Sequence, residues 1–142
     1  MGMQSEVFFR ATLRSTTPEL VIDVLSRMIS DGEPVAVPDG PLFEGTLWMH
    51  MFRRVGHQFP ATTMNTLRLD GRGWWHFAAL SSFKNYGNEF EHFCDWIAPF
   101  VDDVDGAFLG YRRDELADGP EAVHLCRGGT VIWADMVAPP HP

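Results

Sequence analysis

The sequence predicts one α+β domain, a mainly antiparallel sheet of five to seven strands with two helices on one face. Three observations carry this. At 142 residues the chain has the length of a single domain. Its periodic segments run strand, helix, three strands, helix, three strands, an order without the strict alternation that a doubly wound parallel sheet needs. Asp70-Gly71 and Gly128-Gly129 each stand between two strand-like runs, the chemistry of tight hairpins.

The elements follow in order. Residues Glu6–Arg14 alternate, with Val7, Phe9, Ala11 and Leu13 on one face and Phe8, Arg10, Thr12 and Arg14 on the other. Thr16 and Glu19 have the spacing of a capping box, and Pro18 suits a first helical turn. Leu20, Val21, Val24, Leu25 and Met28 continue at helical spacing up to a stop at Gly32. Asp31–Gly45 is rich in Gly, Pro and Asp and reads as a long loop. Thr46–Arg54 reads as a strand with Trp48, His50 and Phe52 on one side. Thr62–Leu69 and Trp74–Phe83 are expected to pair around Asp70-Gly71.

Asn88 and Glu91 suggest a second capped helix, with Phe90, Phe93, Cys94, Ile97 and Val101 as its apolar stripe and Pro99 near its end. Ala107–Arg113, Glu121–Arg127 and Thr130–Met136 complete the strands. Residues 137–142 read as a loose tail, and the Arg112–Glu115 run as an exposed strand end. Leu20, Val24, Leu25, Trp75, Phe77, Phe93 and Ile97 are the expected core.

Composition narrows the function. Nineteen acidic residues against eleven basic ones give a net charge of −8. That balance opposes binding to phosphate backbones and anionic lipid, and it would steer a basic protein partner inward. Apolar stretches are interrupted well short of the roughly 18 residues of a membrane span. Met1–Arg14 lacks the basic and apolar regions of a secretory leader, so Cys94 and Cys126 are expected to be reduced, buried thiols in a cytoplasmic protein.

No nucleophile elbow, phosphate loop or metal-binding spacing stands out. His92/Cys94 and His124/Cys126 are the closest approach to a metal pair, and neither has a second pair at zinc spacing. No metal, cofactor or catalytic residue is therefore assigned. The candidate binding residues are Trp48, His50, Phe52, Trp74 and His76, expected on one aromatic and imidazole-bearing sheet face. Lys84 and Tyr86 join them at the junction into the second helix. Such a face suits a protein partner, a small ligand or substrate, or a second copy in a structural homodimer.

The runs Lys84-Asn85-Tyr86-Gly87-Asn88-Glu89-Phe90, Phe93, Trp96-Ile97-x-Pro99-Phe100 and Gly106-x-Phe108-x-Gly110-Tyr111-Arg112-Arg113-x-Glu115 resemble small bacterial α+β immunity proteins of polymorphic toxin systems. The resemblance covers about residues 74–133 and is one of turns and core aromatics. It implies a non-enzymatic protein that occludes a cognate toxin, and it carries over no catalytic residue.

Overall fold

The computed structural model describes residues 4–30, 36–52, 65–84, 88–115, 117 and 119–136, with the side chains of His50 and Lys84 outside that description. Six antiparallel strands form one open sheet in the order β2-β3-β1-β4-β5-β6. They are β1 (Gln4–Leu13), β2 (Thr66–Leu69), β3 (Trp75–Lys84), β4 (Phe108–Asp114), β5 (Glu121–Cys126) and β6 (Thr130–Asp135). Helix α1 (Glu19–Ile29) follows β1, and α2 (Glu89–Ile97) links β3 to β4. The fold is thus a single α+β domain, as the order of periodic segments predicts.

Strand β1 is central because its alternation serves two neighbours at once. It pairs with β3 along ten positions, from Gln4 opposite Lys84 to Leu13 opposite Trp75. On its other side Ser5–Phe9 pair with Asp114–Gly110. Gly110 is required there, since an added Cβ would stand 1.9 Å from the Phe8 carbonyl oxygen. The residues Val7, Phe9 and Leu13 are fully buried on one face, together with Phe77 and Ala79 of β3. Both helices supply side chains to the same core: Val21, Ile22, Val24, Leu25 and Met28 from α1, and Phe90, Phe93, Cys94 and Ile97 from α2.

The segment expected as a strand over Thr46–Arg54 is not one where it is described. Leu47–His50 form a 3-10 turn, preceded by another at Pro41–Phe43. Both sides of this run are apolar, and it packs between the helices instead of joining the sheet: α1 and α2 both touch the Leu47–His50 turn. Trp48 is 2% exposed and Phe52 is fully buried. Phe52 sits edge-on against Phe77, Phe90 and Phe93, with ring centroids 5.5, 6.4 and 4.9 Å away. Trp48 meets Phe43, which in turn meets Trp96. The Asn65 side chain anchors the segment by donating to the Phe52 carbonyl while its oxygen accepts the Leu80 N–H at 2.8 Å.

Other expectations need correcting. Neither predicted capping box forms: Pro18 is the N-cap of α1, Asn88 caps α2 from the left-handed region at φ 60°, and neither cap makes a side-chain hydrogen bond. Leu20 is 38% exposed in the first turn of α1, and Trp75 is only half-buried at the start of β3. Cys126 is half-buried where a buried thiol was expected.

Arg112 is not part of an exposed strand end. Strand parity turns it to the helix side, where it pairs with Glu91 of α2, donates to Glu121 at 2.8 Å, and lies over the Trp133 ring at 5.0 Å. Gly32, residues 53–64, Tyr86 and the tail 137–142 lie outside the described residues.

Candidate binding face

With both helices on one side, no described helix covers the other side of the sheet. Parity places Glu6, Phe8, Arg10 and Thr12 of β1 there, beside His76, Ala78 and Leu80 of β3 and Tyr111 and Arg113 of β4. Phe108 and Ile132 extend this face apolar-side-out at 41% and 52% exposure. A sheet face that mixes aromatic rings with arginine and imidazole has the composition of a protein-binding surface.

The most structured part of the face is around His76. The β2–β3 turn is closed by the Gly73 N–H donating to the Asp70 carbonyl at 3.2 Å, with Gly73 at φ 86° as the turn-plus-bulge geometry demands. Within this turn one Asp70 oxygen accepts the backbone N–H groups of Arg72 and Trp74 at 2.8 and 3.1 Å. The other faces Nε2 of His76 at 2.8 Å. The hydrogen bond from His76, helped by the two backbone donors, lowers the Asp70 pKa to about 2. An ionised carboxylate only accepts, so the imidazole carries its hydrogen on Nε2. In the neutral ring Nδ1 is then the acceptor, and the Thr12 hydroxyl donates to it at 3.3 Å.

This carboxylate, imidazole and hydroxyl chain has the connectivity of a nucleophile relay. Its outer contact is long for a hydrogen bond, however, and its clear effect is positional: it fastens the turn to β1. Beside it lies a concavity of about 340 Å³. Arg10 and Arg68 stand on its two flanks, exposed and without an ion pair among the described residues. A second polar tie lies nearer β4, where the Tyr111 hydroxyl donates to Glu6 at 2.6 Å. Burial and that carboxylate both raise the Tyr111 pKa.

The predicted site residues therefore divide. Trp48 and Phe52 do not share a face with His76; they are core, for the packing reason given above. Trp74 is half-buried at the turn, under the Arg72 guanidinium at 5.1 Å, and His76 is on the open face. The backbone of His50 is in the 3-10 turn and that of Lys84 ends β3; Tyr86 is outside the described residues. Sequence reading missed Arg10, Arg68, Asp70 and Thr12. The parity of β1 already put Arg10 and Thr12 on the face opposite Phe9, but only the register brings Arg68 and Asp70 to them.

Among the described residues no group of three or more metal-ligating side chains gathers, and no helix is long and apolar enough to cross a membrane. No family model, curated protein or solved structure matches the chain.

Proposed function

We propose that the chain is a non-enzymatic binding protein of the immunity type, which neutralises a cognate bacterial toxin in the cytoplasm by covering its working surface. The observation that supports this reading best is the sheet face that no described helix covers. It is backed by the core, and it mixes Phe8, Tyr111 and Phe108 with exposed arginines. A face of mixed aromatic and polar side chains suits a protein surface better than a small substrate, which calls for a deep, mostly apolar pocket. The net charge of −8 steers a partner that is basic overall. Much of the acid excess is exposed on the helix side, as at Glu19, Asp23 and Asp95, while the sheet face presents Arg10, Arg68 and Arg113.

The test is co-expression with the product of the adjacent reading frame, followed by co-purification and mapping. A stable complex that Arg113→Glu disrupts and Asp23→Lys leaves intact supports docking through the sheet face. A complex indifferent to Arg113→Glu and broken by Asp23→Lys moves the contact to the helix side. Absence of any complex removes the immunity reading.

A further inference from the structure

The concavity beside His76 owes its shape to one small side chain. In the ladder, Arg10 stands opposite Ala78, and Ala78 stands opposite Thr66. In the next row, two residues along, Thr12 stands opposite His76, and His76 opposite Arg68. Arg10 and Arg68 are therefore on diagonal corners, one row and two strands apart, with a methyl group as the floor between them. A larger residue at position 78 would fill the depression.

Several of the polar groups around it are already engaged. Asp70 occupies Nε2 of His76, and Thr12 faces Nδ1. Asp103, the acidic residue at the rim, accepts the Val104 N–H at 2.8 Å. Arg10 and Arg68 have no such partner among the described residues, although a guanidinium offers five donors in a planar fork matched to a carboxylate. Two guanidinium groups without an ion pair among the described residues line a small-floored depression backed by an imidazole held in place, an arrangement suited to a planar anionic group.

We infer that this concavity receives a side-chain carboxylate of the protein partner, gripped by Arg10 and Arg68 over the Ala78 floor. The inference rests on the reading of the sheet face as the docking surface and names the chemistry it selects. His76 and Asp70 are positioning residues here: they fasten the turn that follows Arg68 and so set where its strand presents the guanidinium.

The experiment uses the isolated full chain first. N-acetylglutamate is titrated against it while the Arg Nε–H signals are followed by NMR, with the neutral N-acetylglutamine as control. Saturable shifts of Arg10 and Arg68 with the acid, and none with the amide, are expected. Arg68→Gln should weaken binding about tenfold, the loss of one charge-assisted contact. Ala78→Leu keeps both charges and should weaken it comparably by filling the floor, whereas Arg127→Gln, on a distant turn, should change nothing. Equal shifts with the amide, or unchanged binding in Arg68→Gln and Ala78→Leu with melting temperature preserved, would overturn the site. The complex with the neighbouring gene product then separates the two ideas. If it forms, and Arg113→Glu breaks it while Arg68→Gln does not, the docking face stands and the carboxylate receptor falls. If the acid binds as expected but no complex forms, the receptor stands as a carboxylate site and its assignment to a protein partner falls.

Discussion

Asp70 shows how much can depend on one carboxylate in a four-residue turn. It accepts two backbone N–H groups and faces one imidazole, and those contacts lower its pKa from 3.8 to about 2. The sign of the linkage follows directly. The folded state binds the proton more weakly than the unfolded chain, so the carboxylate's stabilisation is complete above about pH 4 to 5 and is lost as pH falls toward 2. Asp70→Asn should therefore lower the urea midpoint most at neutral pH, and the gap from the parent should close between pH 5 and pH 2. A gap that stays constant across that range would mean the carboxylate's charge is not what matters. The cysteines make a second contrast. Burial removes Cys94 from solvent and pushes its thiol pKa up, while Cys126 is half-exposed. A thiol reagent should modify one cysteine quickly in the native protein and the second only on unfolding. Two fast thiols would place Cys94 at the surface.

Among the elements, the 3-10 turn at Leu47–His50 departs furthest from what its residues suggest alone. Leu47, Met49 and Met51 alternate with Trp48, His50 and Phe52, a pattern that a strand and a short buried segment share. Length and flanking turns separate the two only when the rest of the core is known. Here the helices leave a gap over the sheet that Trp48, Met51 and Phe52 fill. Phe52→Ala should destabilise the protein by about 3–5 kcal/mol, the cost of deleting a buried aromatic side chain. A loss of a few tenths in chemical denaturation would return Phe52 to the surface. Trp48 belongs to the same packing, so its substitution would report on stability and not on binding. Trp74, half-exposed at the turn, keeps its place as a candidate contact residue.

Taken as one body, the molecule joins both helices, the 3-10 turns and the sheet through one continuous set of buried side chains. A core shared in this way unfolds together. Far-ultraviolet dichroism and tryptophan fluorescence should report coincident urea transitions; separated midpoints would mean that the helix layer melts apart from the sheet. Charge is distributed less evenly than packing. A net charge of −8 acts at long range, while the arginines of the sheet face act at contact. For the complex proposed above, raising salt to near physiological strength should slow association more than it speeds dissociation, because exposed charges are screened over about 8–10 Å. A salt effect confined to dissociation would remove steering from the picture.

Alternation and turn chemistry in the chain were enough to specify the α+β class, both helices and the strand pairs around Asp70-Gly71 and Gly128-Gly129, because those signals are local. Val24, Phe77, Phe93 and Ile97 were legible as core for the same reason: period two or period 3.6 assigns a face without reference to distant residues. The placement of Trp48 and Phe52 was not, since an apolar run records the wish to be buried but not against what. Arg112 reads as a surface charge until Glu91 and Glu121 arrive from other elements to pair with it. The group of Arg10, Arg68, Asp70, His76 and Thr12 comes from β1, β2, the turn after it and β3, and no spacing along the chain marks it. Only the register of three strands sets those side chains side by side, and register is decided by which faces the whole core can bury.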